Sequence, residues 1–174
     1  MMAVIRDGYL WTCHHVGLSG ANGAYSGDQT GTNVDRSAAQ WLNFQAGSTG
    51  LTFNAHERVF DRAATNAFWY YMPSLMVNCS GNMLMGFSGS SPNDFIGAYY
   101  SWLFAGNSAS VGPFVIQPGS INFNWIDRWG DYSYTSLDPV DDWSFWTVQE
   151  YADSSQNEWY TPWSTRIIQL SHLP

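Results

Sequence analysis

Leu75-Met76-Val77-Asn78-Cys79-Ser80-Gly81-Asn82-Met83-Leu84-Met85 lies over Thr135-Ser136-Leu137-Asp138-Pro139-Val140-Asp141-Asp142-Trp143-Ser144-Phe145 at an offset of 60 without a gap. Each copy reads as a strand, a polar turn opened by Asn or Asp, and a second strand. A further strand follows each after a loop: Tyr99-Tyr100-Ser101-Trp102 in one, Ser164-Thr165-Arg166-Ile167-Ile168 in the other. The first segment repeats the plan more loosely. Val4-Ile5, an Arg6-Asp7-Gly8 turn and Tyr9-Leu10-Trp11-Thr12 precede a Gly/Asn/Ser-rich stretch, 17–33, and then Ala38-Ala39-Gln40-Trp41-Leu42. Identities are few, so the repeat is one of pattern.

Working outward from this repeat, eleven runs read as strands: Ala3–Ile5, Tyr9–Val16, Ala38–Gln45, Leu51–Val59, Trp69–Val77, Met83–Ser88, Ile96–Phe104, Phe114–Gln117, Asp131–Leu137, Trp143–Tyr151 and Trp163–Leu170. No segment of a dozen residues keeps the i, i+3, i+4 stripe of a helix. Several strands are apolar on both faces. Trp143, Phe145 and Thr147 point one way and Trp146 and Val148 the other, and Met83 and Met85 alternate with Leu84 and Gly86. A two-sheet sandwich leaves one face of each strand wet. Strands buried on both sides fit sheets stacked on sheets, as blades are in a β-propeller. The expectation is an all-β domain over 1–174, a partial propeller of blades at roughly 1–62, 63–120 and 121–174. Two blades are full and the third lacks its outermost strand. Rings of four to eight blades close, so either self-association or the remainder of a longer polypeptide is expected to complete this one, with self-association favoured. Two copies under two-fold symmetry would give six blades.

Composition agrees with a packed domain. Ten Trp, ten Tyr and ten Phe stand against 14 acidic and 6 basic residues, which excludes disorder. All six basic residues are Arg, and the net charge is -8. Such a surface argues against a nucleic-acid-binding face, which needs clustered cations. No apolar run approaches the ~20 residues that span a bilayer. The N-terminal residues do not read as a secretory signal. Cys13 in a strand and Cys79 in a turn are weak evidence for a disulfide, and no C-x-x-C spacing suggests structural zinc.

Arg128-Trp129-Gly130-Asp131-Tyr132-Ser133, then Asp138-Pro139-Val140-Asp141-Asp142, Phe145-Trp146 and Gln149-Glu150-Tyr151 resemble the C-terminal segment of a family of large, uncharacterised bacterial secreted proteins that look like sialidase-type propellers. Leu10-Trp11-Thr12 before His15-Val16, Arg36 before Gln40-Trp41, and Pro73-Ser74 before Gly81-Asn82 share its rhythm. The resemblance implies an extracellular, sialidase-like blade arrangement and no settled activity.

A sialidase-like enzyme would gather Arg128, Asp131, Tyr132, Glu150 and Arg166 on the inner strands of the last blade. Tyr132 beside a Glu150 base would act as nucleophile with Asp131 as acid, and Arg128 and Arg166 would hold a carboxylate substrate. The same residues also read as inter-blade ion pairs. Asp138, Asp141 and Asp142 form an acidic turn that offers hard oxygens to calcium, or else caps itself as an Asx turn; no other cofactor is expected. His14 and His15 are adjacent on a strand and point to opposite faces, so they cannot chelate one metal, and His15 is the one expected to face the central channel. Loops 17–35, 104–113 and 152–162, with Trp125, Trp129, Trp159, Tyr160 and Trp163, join aromatic faces to amides and hydroxyls. That combination suits sugar rings, and it suits blade packing too. The leading expectation is a non-catalytic extracellular recognition or assembly module, glycan-binding in one form and homodimeric. The alternative is a glycoside hydrolase acting at the propeller axis.

Overall fold

The chain folds, in a computed structural model that describes residues 2–25, 33–123, 128–155 and 162–171, without a helix among those residues. Three antiparallel sheets follow one another along the chain. The first contains β1 (Met2–Arg6), β2 (Tyr9–Ser19), the two-residue β3 (Ala24–Tyr25), β4 (Arg36–Gly47) and β5 (Gly50–Val59), ordered β1-β2-β4-β5 with β3 beside β2. The second is the meander β6 (Trp69–Val77), β7 (Met83–Ser91), β8 (Asp94–Leu103) and β9 (Val111–Gln117). The third is β10 (Tyr134–Leu137), β11 (Phe145–Ala152) and β12 (Trp163–Leu170). All eleven expected strands are present, the one expected from Asp131 starting at Tyr134, and the third sheet has three strands among the described residues. The sheets are blade-like and form no closed ring.

Turn chemistry explains where the strands stop. Asp7 and Gly8 both take positive φ, 49° and 79°, the conformation of a two-residue hairpin turn. The buried Asn78 accepts backbone N–H bonds from Ser80 and Asn82 at 3.0 Å each, closing the β6–β7 turn. Asp138 and Asp141 do the same for the β10–β11 turn, accepting from Val140, Trp143 and Ser144. The two hairpins are not superimposable without a gap. Val77 pairs with Met83, whereas Leu137 pairs with Phe145, so the second turn is two residues longer. Trp143 therefore sits in that turn and not in a strand. An even shift keeps every later side chain on its expected face, so the correction moves the register and spares the pattern.

The second sheet is sandwiched between the other two. Met83, Met85 and Phe87 point to the first sheet and share a core with Cys13, Ala39, Trp41, Leu75 and Tyr70. Leu84 points to the third sheet and packs with Trp102 and Phe145. All four β7 side chains are fully buried, and each contributes about 1.5–3 kcal/mol of hydrophobic stabilisation. Gly86 is glycine because the third sheet comes too close. A Cβ there would stand 2.6 Å from Thr147 Oγ1 and nearer still to the Gln149 amide. This second seam is partly polar: Ser74 Oγ lies 2.8 Å from Thr135 Oγ1, and Gln149 Nε2 donates to Ser74 and Thr147. Arg6 on β1 and Asp142 in the β10–β11 turn form an ion pair that ties the first sheet to the third.

Candidate functional site

Five of the expected catalytic and ligand-binding residues, Arg128, Trp129, Asp131, Tyr132 and Glu150, meet in one cup of 170 Å³ on the third sheet. Phe123 and Trp163 complete its wall. The cup exists because residues 128–133 form a loop ahead of β10, not the strand expected from Asp131 onward. Gly130 at φ 96° makes the bend, and a Cβ at that position would collide with Met72. The loop folds back over the outer face of β11 and is held there by Glu150.

Glu150 is 4% exposed, and its two oxygens accept the backbone N–H groups of Gly130 at 2.7 Å and Tyr132 at 3.1 Å. Burial raises the carboxyl above its ordinary value, opposed by these two bonds, with the Asp131 charge adding to the rise. The carboxylate thus clamps the loop. Trp129 Nε1 donates to Ser88 Oγ at 3.0 Å, and its ring meets Phe123 edge-on at 4.8 Å. Tyr132 stacks on Trp163, with centroids 5.0 Å apart and planes 12° apart. Arg128 pairs with Asp131 at 2.7 Å on the exposed rim. The result is an aromatic-walled cup with one exposed ion pair at its lip and a buried carboxylate in its floor.

The other expected residues lie elsewhere. Arg166 is exposed on β12, paired with Gln149 across the ladder, and its charge acts on Tyr151. His15 is exposed on β2 in the first sheet, and neither residue lines the cup. Trp125, Trp159 and Tyr160 lie outside the described residues. The three turn aspartates have separate partners: Asp138 takes the Trp146 indole at 2.9 Å, Asp141 the Ser144 hydroxyl at 2.7 Å, and Asp142 pairs with Arg6. Among the described residues no three His, Cys, Asp or Glu side chains converge in a metal-holding group. Both cysteines are free; Cys13 is buried, which pushes its thiol up to about 12, and Cys79 is exposed.

Trp163 was legible as one aromatic in a sugar-suited loop, but its pairing with Tyr132 depends on the β11–β12 register. Phe123 carried no signal of its own. Comparison of the chain with protein-family models, with curated proteins and with solved structures finds no match.

Proposed function

We propose that the chain is a recognition and assembly module whose blades dock onto those of a second copy. One observation carries this reading: each outer face of the three-sheet stack keeps an exposed apolar patch among the described residues. On the first sheet, Ile5, Leu10, Phe44 and Phe53 form one cross-strand row, with Ile5 75% and Phe53 54% exposed. On the third, Tyr134, Trp146 and Ile167 are exposed on the face turned away from the second sheet. Monomeric surfaces rarely carry two such patches.

The faces are also complementary in kind. The Ile5–Leu10 pair occupies the hairpin position that Val77–Met83 and Leu137–Phe145 hold in the other sheets, where it packs against the preceding sheet. Trp146 occupies the place of Leu84, which packs against the following sheet. The face that would cover Ile5 is therefore the kind that Trp146 presents, and this chain carries both. Docking first sheet to third sheet in each direction gives a two-fold ring of six blades, with two equivalent contacts. Light scattering across a concentration series tests this. The native chain is expected at twice 19.5 kDa, and Phe53→Glu or Ile167→Glu at 19.5 kDa with unchanged circular dichroism. A folded native chain that stays at 19.5 kDa throughout would overturn it.

The cup supports a second role for the same module, carbohydrate binding. Its stacked Tyr132–Trp163 wall, Trp129 and the Arg128–Asp131 lip match what a sugar ring with polar substituents requires. Binding is favoured over glycoside hydrolysis because both Glu150 oxygens are occupied by backbone donors, leaving Glu150 to position the loop. The extracellular setting follows from the resemblance carried by residues 128–151.

A further inference from the structure

A second cavity, of 240 Å³, opens between the first two sheets where β2, β4 and the loop joining β8 to β9 meet. Tyr9, Trp11 and Trp41 supply its aromatic walls, and Asn43, Asn54 and Asn107 its polar groups. No acidic, basic or histidine side chain is among its described lining residues. The Trp11 and Trp41 rings stand 5.6 Å apart at 43°.

Asn43 is the residue that a packed seam does not explain. It lies on the core face of β4 and is 1% exposed. Its Oδ1 accepts from Asn54 Nδ2, while its own Nδ2 has no partner among the described residues. A buried donor left without a partner costs stability, and native chains hold few of them. Asn54 reaches Asn43 because the β4–β5 ladder slips between Asn43 and Phe44, leaving Asn54 as the unpaired residue of a bulge. Bulges of this sort re-aim a side chain next to sites. The rim is fixed before any ligand arrives. Trp41 Nε1 is shared between Glu57 and Ser110, Ser110 donates its backbone N–H to Glu57 at 2.7 Å, and Asn82 Oδ1 holds the Ala105 N–H at 2.9 Å. A preformed cleft lined by amide and aromatic groups lowers the ordering cost of binding.

We propose that this cleft binds one ring of a neutral, hydroxyl-rich ligand, a hexose or N-acetylhexosamine unit. Trp11 presents an apolar wall to the C–H face of the ring, and Asn43 Nδ2 donates to a ligand oxygen. The site is separate from the third-sheet cup, whose lining is charged, and from the two outer faces. Its volume fits one ring, and its lining without cations, with the Glu57 carboxylate at the rim, selects against uronates and phosphosugars.

Saturation-transfer NMR with methyl glucoside, methyl mannoside, methyl galactoside and N-acetylglucosamine tests it. Because the cup is itself proposed to take sugars, the titrations use the Trp129→Ala chain, in which at least one of the four is expected still to bind. Asn43→Leu is expected to weaken that binding about tenfold or more while its urea midpoint stays level or rises, because the substitution removes an unpartnered donor. Should Asn43→Leu fail to fold, the exposed pair Asn54→Ala and Asn107→Ala takes its place, with the same expected loss. No transfer from any of the four sugars would overturn the proposal, as would binding that survives these variants. Binding lost in Trp129→Ala instead would assign it to the cup and equally overturn it.

Discussion

Adding a single methyl group at Gly86 tests whether the second and third sheets meet where β7 crosses β11. The backbone there has no positive φ, so alanine brings no conformational strain. In an open position it would gain about 0.4–1 kcal/mol over glycine by restricting the unfolded chain. Here the added Cβ would meet Thr147 Oγ1 at 2.6 Å and the Gln149 side chain more closely still. Gln149 is fully buried and bonded to Ser74 and Thr147, so it has no room to withdraw. Overpacking of this kind costs about 1–3 kcal/mol, which leaves a net loss of about 1–2 kcal/mol. With a urea m-value of about 2 kcal/mol/M, the midpoint falls by roughly 0.5–1 M. Gln149→Ala removes the nearer obstruction and leaves the Thr147 Oγ1 contact, so in the Gly86→Ala/Gln149→Ala double variant the alanine at 86 costs less than in the native background, a coupling of about 1 kcal/mol. Urea titration of the four proteins by tryptophan fluorescence measures all of this. A Gly86→Ala midpoint equal to the native one, or additive single effects, would refute the close approach of the two sheets.

Other expectations follow from the same geometry. Asp153 accepts bonds from the Ser155 backbone and from the Ser155 and Tyr151 hydroxyls, which with the Ser164 hydroxyl hold its carboxyl down to about 2. The native state then binds fewer protons than the unfolded state between that value and the ordinary 3.8, so stability falls as pH drops through this window. Asp153→Asn should flatten the acid limb there, and an unchanged limb in thermal melts from pH 5 to 2 would count against the assignment. Glu150 has the opposite sign: its raised value means the native state holds its proton longer, so this group's contribution shrinks as pH rises from the ordinary 4.5 through the native value. Glu150→Ala should release the 130–132 loop, lower the stability by about 1–3 kcal/mol through two unmet N–H groups, and increase amide exchange at Gly130 and Tyr132. For the thiols, a disulfide-exchange reagent should label Cys79 alone in the native protein and Cys13 only on unfolding. Two equally fast thiols would show that the first seam is open.

The strand pattern was readable because it depends on local composition. Aromatic and β-branched runs broken by Asn, Asp and Gly give the strands, and two-sided apolarity in β7 gives the stacking. Faces survived even where register did not, since the turn after Leu137 differs from that after Val77 by an even number of residues. Pairings set by loop geometry were not readable. Asp131 and Tyr132 belong to a loop because Gly130 bends back over β11, although aromatic alternation there imitates a strand. Glu150 was legible as a carboxylate of the last blade but not as the clamp on two backbone donors, because hydrogen bonds to the main chain leave no trace in side-chain types. Arg166 matched the chemistry of the cup, yet β12 pairs it with Gln149 on the face opposite Glu150. Asn43 did leave a signal, an amide at an inward position two residues from Trp41, whose meaning depends on the bulge at Asn54.

Site-directed cross-linking in a Cys79→Ser background tests blade-to-blade docking most directly. Mixing an Ile5→Cys chain with a Trp146→Cys chain should give a disulfide between the two, because first-sheet and third-sheet outer faces meet across each contact. Neither chain alone should cross-link to itself to the same extent. Cross-links confined to Ile5→Cys with Ile5→Cys, or absent from the mixture while both chains remain folded, would contradict it.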